Sequence, residues 1–313
     1  VLKQGQSADI GLLLEGTYPY VSGGVSSWVN QIIKGFPEYT FALCFIGSQP
    51  SDYGDMRYAL PDNVVHLEVH YLHEPQSKPP VIKRKGNAQV FKEIRCLHDQ
   101  YRHADSPKTE TASLLASIMK HRNEGRYAEA DFLYSRESWD YITEQYRERC
   151  TDPSFVDYFW TVRIMHSPLW KLMALTESFI PVKVFHTIST GYAGFLGALM
   201  KQRTGKPLIL SEHGIYTKER KIDLFQAEWI RDNRGTLAKD SSEVAYFRHL
   251  WIRFFEALGR DCYHHADRII ALYETNRLRQ TQDGAPAERT ENIPNGINFP
   301  HLAKVREQRS DTI

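Results

Sequence analysis

The stretch Asp9-Ile10-Gly11-Leu12-Leu13-Leu14-Glu15-Gly16, continued by Thr17-Tyr18-Pro19-Tyr20-Val21-Ser22-Gly23-Gly24, decides the fold. An apolar run this short, closed by Glu15-Gly16, reads as a parallel strand buried on both faces. The turn-rich segment leads into Val25, Trp28, Val29, Ile32, Ile33 and Phe36. These recur at steps of three and four, one apolar face of a helix, and Pro37 stops it. Residues 39–46 and 63–71 read as the next two strands. Strand, glycine loop, helix, strand opens a doubly wound α/β domain, so a Rossmann-like parallel sheet is expected.

Outward from there the character changes. Residues from about 78 to 150 are rich in charge, begin with Pro79-Pro80 and carry only patchy helical stripes such as Leu115, Ile118 and Met119. They read as a helical insertion, a solvated decoration over one edge of the sheet. Two helices are expected next, with Ser167 as N-cap and Pro168 at the first helical position of the second. The α/β rhythm then returns: a strand at 182–187, a helix at 191–201 and a strand at 207–211. Asp240-Ser241-Ser242-Glu243 has the form of a capping box. It precedes a long helix with Val244, Phe247, Trp251, Phe254 and Leu258 on its apolar face. A strand at 267–272 and a helix from about Glu274 complete the pattern. The domain is expected to span 1–298, with 299–313 as a hinge or tail.

Composition removes several function classes. With 39 basic and 38 acidic residues the net charge is +1, so nothing draws the whole chain to nucleic acid or anionic lipid. Cys44, Cys96, Cys150 and Cys262 lie far apart, which argues against a zinc knuckle and a disulfide framework. They read as reduced, mostly buried thiols. No apolar run approaches a membrane span and no signal segment opens the chain, so a cytoplasmic place is expected.

Chemistry is sought at strand ends, because in parallel sheets these line the ligand crevice. His186 ends one strand and is followed by Thr187-Ile188-Ser189-Thr190-Gly191-Tyr192; His213 follows another, within Ser211-Glu212-His213-Gly214-Ile215-Tyr216. Two such histidines in successive units suit hydrogen bonding to a polyol. Glu212 is placed to orient His213, to act as a base, or to bind Arg220 or Lys221. The Gly23-Gly24 loop at a helix start either cradles a phosphate or is a plain tight turn. No Gly-x-Gly-x-x-Gly is present, which argues against NAD, and no suitable Tyr-x-x-x-Lys supports an epimerase. His66, His70 and His73 read as surface histidines rather than metal ligands, and no Asp-x-Asp offers a metal–diphosphate grip. His264-His265 at a helix end reads as dipole compensation.

Together these motifs resemble the GT-B glycosyltransferases of family GT4. The matching pieces are Gly23-Gly24, His186 with Gly191, and Ser211-Glu212-His213-Gly214. The most specific runs from Ala266-Asp267-Arg268-Ile269-Ile270-Ala271 to Ile293-Pro294-Asn295-Gly296-Ile297-Asn298. Within that family, the 13–19, 21–29 and 211–220 stretches are similar to the soluble transferases of Pel exopolysaccharide synthesis, and the likeness spans nearly the whole chain. The resemblance implies the acceptor-side domain of a retaining, metal-independent transferase. Its co-substrate would be a UDP-sugar, UDP-glucose or a UDP-N-acetylhexosamine, and its acceptor a growing glycan. Either His186 or His213 would be catalytic, and Gly23, Gly24, Ser189, Thr190, Gly191, Tyr192, Glu212, Tyr216 and Asn295 would meet substrate. The resemblance further implies a cytoplasmic protein, peripheral to the inner membrane through other Pel components, with no nucleic-acid partner. In the family, a donor domain with a Glu-x7-Glu pair follows the segment ending at Asn298. Glu129 and Glu137 share that spacing but sit in the insertion, a coincidence. The alternative from another class is a catalytically silent glycan-binding or docking module, with the insertion as its docking surface.

Overall fold

The computed structural model describes residues 3–73, 84–102, 108–151, 153–226 and 241–296. Seven strands form one sheet: β1 Ala8–Glu15, β2 Phe41–Gly47, β3 Val64–Tyr71, β4 Val182–Thr187, β5 Leu208–Glu212, β6 Arg268–Ala271 and β7 Thr290–Asn292. Their order is β3-β2-β1-β4-β5-β6-β7 and every neighbouring pair is parallel. This is the expected Rossmann-like α/β fold, with its switch in winding between β1 and β4. Helix α1 Gly24–Gly35 crosses from β1 to β2. A run of five, α2 Ala88–Arg102, α3 Lys108–Asn123, α4 Glu129–Tyr134, α5 Arg136–Arg149 and α6 Phe155–Ser178, separates β3 from β4. Then α7 Tyr192–Thr204 links β4 to β5, α8 Tyr216–Gln226 and α9 Ser241–His265 link β5 to β6, and α10 Glu274–Gln282 precedes β7.

Side chains alternate along a strand, so β1 divides the core. Leu12 and Leu14 face α1, packing with Val29 and Ile33 and with Phe41, Leu43 and Phe45 of β2. Leu13 faces the other way with Ala42 and Cys44, toward Leu172 of α6, Leu196 of α7 and Leu258 of α9. Both faces of the central strands are covered, which is why β1 and β2 read as unbroken apolar runs. Cutting Leu13, fully buried, to alanine should cost about 2–5 kcal/mol.

Several features differ from the sequence expectation. The two helices expected around Ser167-Pro168 are one, α6, with Pro168 inside it. A proline there forfeits a helix hydrogen bond, but Val162 and Met165 before it and Leu172 and Met173 after it all enter the same core. Burial on both sides outweighs the local stop signal. The insertion does not decorate a sheet edge: α2–α5 pack chiefly on one another and on α6 and α9. Its Phe91, Ile94, Leu97, Phe132 and Ile142 are buried in the main core. All four cysteines are free thiols, but only Cys44 and Cys262 are buried, and Cys96 is exposed. His265 is buried, which lowers its pKa, and its ring hydrogen-bonds the Asp261 carbonyl at 2.8 Å; the charge at this helix end is that of Arg289, which donates to the His264 and Ala266 carbonyls at 3.0 and 2.7 Å. Pro79-Pro80, Asp240 of the capping box, Ile297, Asn298 and residues 299–313 lie outside the described residues. No described helix is long and apolar enough to cross a membrane.

Candidate active site

A cleft of about 820 Å³ opens over the carboxyl ends of β1, β2, β4 and β5, at the switch in winding. Glu15, Gly16 and Thr17 line it from the end of β1, Ser189 and Tyr192 from β4, and Glu212, His213, Tyr216 and Arg220 from β5 and α8. Gly16 turns the chain out of β1 with φ of 59°, a left-handed conformation that suits a residue without Cβ.

Three buried side-chain atoms on this lining have no hydrogen-bond partner among the described residues: Thr17 Oγ1, Ser189 Oγ and His213 Nε2. They come from three separate strand-end loops. A buried polar group left unpaired costs about 1–3 kcal/mol, a cost that a hydrogen-bonding partner entering the cleft would offset. Burial lowers the pKa of His213, so the ring is neutral near pH 7. It packs against Trp28 in a T-shaped arrangement, with centroids 4.5 Å apart and planes at 79°.

His186 stands behind this surface. Its Nε2 meets Ser211 Oγ at 2.9 Å and its ring lies 5.9 Å from that of Trp28. Burial, then the neighbouring His213, push its pKa down to about 4, so it too is neutral.

Glu212 binds neither Arg220 nor Lys221, and four other groups hold its carboxylate. Its Oε1 accepts from the Tyr216 amide at 3.0 Å and Thr190 Oγ1 at 3.2 Å. Its Oε2 accepts from Tyr263 OH at 2.8 Å and Gln280 Nε2 at 3.0 Å. Burial raises its pKa against the opposing pull of those hydrogen bonds. The carboxyl is a junction tying β5 to the starts of α7 and α8 and to α9 and α10. Lys221 pairs instead with Glu256 at 2.6 Å, and Arg220 with Asp223 at 3.4 Å.

A second acid organises the floor. Glu15 Oε1 accepts from Tyr216 OH at 2.7 Å, and Oε2 accepts from the Ala193 amide at 3.1 Å, at the positive end of α7. Arg220 Nε donates to Tyr216 OH at 2.9 Å, and its guanidinium lies 3.7 Å from the Glu15 carboxylate. Gly191 caps α7 just beneath. A Cβ there would lie 2.5 Å from Tyr216 OH and 2.6 Å from Glu15 Oε2, so glycine is what lets these groups meet.

The sequence model of the family described as "Domain of unknown function (DUF3492)" matches residues 8–288. The chain belongs to this family. The DUF3492 match takes in the whole cleft lining, from Glu15 to Phe255. Among curated proteins none matches. Among solved structures, the chain is similar to a UDP-glucosyltransferase from Polygonum tinctorium, described as capable of glucosylating indoxyl and seen in complex with 3,4-dichloroaniline. The identity is 10% and the TM-score 0.33, over 96% of this chain and 56% of that one, so the chain spans little more than half of that enzyme's length.

In this DUF3492 chain the sequence-predicted residues divide into three groups. Ser189, Tyr192, Glu212, His213 and Tyr216 line the cleft. Thr190, Gly191 and His186 stand behind the lining and position it. Gly23 and Gly24 are exposed at the start of α1, outside the lining, and Asn295 is exposed beyond β7. The β3 histidines are not all on the surface: His66 is only 2% exposed and meets Glu68 at 2.9 Å, with His70 on the other Glu68 oxygen at 2.8 Å. His73 lines the cleft. Among the described residues no cluster of three or more His, Cys, Asp or Glu could hold a metal ion. Sequence reasoning passed over Glu15, Thr17, His73 and Arg220 as site residues. The strand-end rule that singled out His186 and His213 applies equally to Glu15, the last residue of β1.

Proposed function

We propose that this chain is the acceptor-binding half of a retaining, metal-independent, UDP-sugar-dependent glycosyltransferase. The observation that carries the proposal is the convergence of Thr17 Oγ1, Ser189 Oγ and His213 Nε2, each buried without a partner among the described residues, on one strand-end cleft. Glycan hydroxyls both donate and accept, and so suit two hydroxyl side chains and a neutral imidazole. In this reading His213 holds the reacting hydroxyl of the acceptor, Ser189 and Thr17 fix neighbouring hydroxyls, and His186 positions the wall through Ser211 and Trp28. The UDP-sugar is presented from a facing domain, where basic side chains and amides stabilise the departing diphosphate. Resemblance of the 13–19, 21–29 and 211–220 stretches to PelF supports a finer reading. In it the donor is UDP-glucose or a UDP-N-acetylhexosamine, the product is Pel polysaccharide, and the partners are inner-membrane components of Pel synthesis, met from the cytoplasm.

The test is UDP release from both donors by the natural full-length protein. Replacing His213 by alanine is expected to lower turnover by about a hundredfold or more, with UDP affinity within about twofold of wild type. Undiminished turnover in His213→Ala removes this residue from the reaction. Glycan binding with no transfer from either donor favours the silent binding module instead.

A further inference from the structure

A second cavity, of about 170 Å³, lies within the helical layer, lined from α2, α3, α4, α5, α6, α7 and α9. Protein interiors hold few voids larger than a water molecule, whereas an apolar cavity of about 150 Å³ accepts benzene. This one is walled largely by carbon, including Leu97, Ile118, Phe132, Trp170, Phe195 and Leu258.

Three polar side chains in its wall, Tyr141, His98 and His166, are linked in series. His166 Nδ1 lies 2.6 Å from the Val162 carbonyl, which can only accept, so Nδ1 carries the hydrogen and Nε2 is left as an acceptor. His98 Nε2, 3.1 Å away, must therefore donate to it, which leaves His98 Nδ1 to accept from Tyr141 OH at 2.5 Å. The chain Tyr141 to His98 to His166 to Val162 is complete and uncharged. It offers a guest ring faces and no ion.

Charge enters the lining through two arginines. Arg102 is engaged, with Asp99 at 2.8 Å and Gln145 at 2.9 Å. Arg253 is exposed, lines the same cavity, and has no ion pair or hydrogen bond among the described residues. A neutral apolar interior beside a solvent-facing guanidinium that has no partner among the described residues is complementary to a small amphiphilic anion. The carboxylate of such a guest stays at the wet end, where its desolvation is least costly, and its ring fills the cavity.

We propose that this cavity is a binding site for a small aromatic carboxylate, with the ring enclosed by the helical layer and the carboxylate paired with Arg253. Titration calorimetry of the full chain with phenylacetate, and with toluene as its uncharged counterpart, tests it. Saturable binding of phenylacetate is expected, at least about tenfold tighter than toluene. Arg253→Gln should remove that advantage and leave toluene affinity unchanged. Ala257→Phe fills the space from α9, where Ala257 lines the cavity, and should abolish binding of both probes in a folded protein. Leu97→Phe serves where Ala257→Phe does not fold. No saturable binding of either probe overturns the site. So does phenylacetate binding that survives filling of the cavity, and toluene binding as tight as phenylacetate overturns the anionic guest.

Discussion

Glu15 and Tyr216 lie 201 residues apart in sequence and meet at 2.7 Å, carboxylate to phenol, on the floor of the strand-end crevice. Burial, then the adjacent Glu15 charge, push the Tyr216 pKa well up, so the phenol keeps its proton and donates it. Arg220 donates to the same oxygen from one helical turn away. The contact joins the end of β1 to the start of α8, and through the Ala193 amide to the start of α7. Three loops that carry cleft residues are thereby held in one arrangement.

Gly191 permits that contact, and its replacement is the sharpest structural test. A methyl at Gly191 would meet Tyr216 and Glu15, whereas one at Gly24 would meet nothing within 4 Å. Gly191→Ala should lose about 1–3 kcal/mol or more of stability, and Gly24→Ala should lie within about 0.5 kcal/mol of wild type. Urea unfolding of the two variants checks the contrast. Equal midpoints would contradict the packing around Gly191.

The two strand-end histidines should separate by stability. His186→Ala leaves Ser211 Oγ without its ring partner in a nearly inaccessible place, at a cost of about 1–3 kcal/mol. His213→Ala deletes a nitrogen that has no partner among the described residues and should cost less, about 1 kcal/mol, mainly through lost packing on Trp28. Equilibrium unfolding of both variants decides the order, and the reverse order would place His186 wrongly.

Asp261 governs a pH dependence. Burial pushes its carboxyl up to about 7, against hydrogen bonding from Tyr101 and the nearby Arg260. Its folded pKa lies above the ordinary carboxylate value, so its stabilisation is complete below that value and is lost as pH rises through about 7. The buried His166 and His186, both lowered to about 4, act in the opposite sense: their stability is present above the ordinary histidine value and is lost as pH falls through about 4. Between about pH 4.5 and 6.5 these contributions oppose one another. Asp261→Asn should therefore make stability rise more steeply with pH in that window, by about 1.4 kcal/mol per pH unit. Chemical denaturation across the window measures it. A slope equal to wild type would show that Asp261 does not hold a proton in the folded state.

What could be read beforehand was what burial writes into periodicity. The 9–14 run and the stripe from Val25 to Phe36 announce β1 and α1 because both faces of one and one face of the other are buried. β7 is invisible, being three residues, Thr290-Glu291-Asn292, two of them exposed. α8 was not legible because Thr217, Lys218, Glu219, Arg220, Lys221 and Asp223 leave it little apolar signal, and its start is capped from Glu212, four residues upstream. Pro168 misled because the local stop rule knows nothing of the core on both sides. In the site, the residue types at strand ends were legible and their partners were not. The four donors to Glu212 come from 4, 22, 51 and 68 residues away, distances at which only the folded chain decides who meets whom.

The most direct measurement is binding of a glucose or N-acetylhexosamine oligosaccharide, and of UDP, to the full chain by saturation-transfer NMR with titration. The oligosaccharide should bind saturably, His213→Ala should weaken it by about tenfold with the fold intact, and UDP should bind weakly by comparison. Tight UDP binding, sugar transfer by this chain alone, or oligosaccharide binding indifferent to His213 would contradict the assignment of this cleft as the acceptor wall.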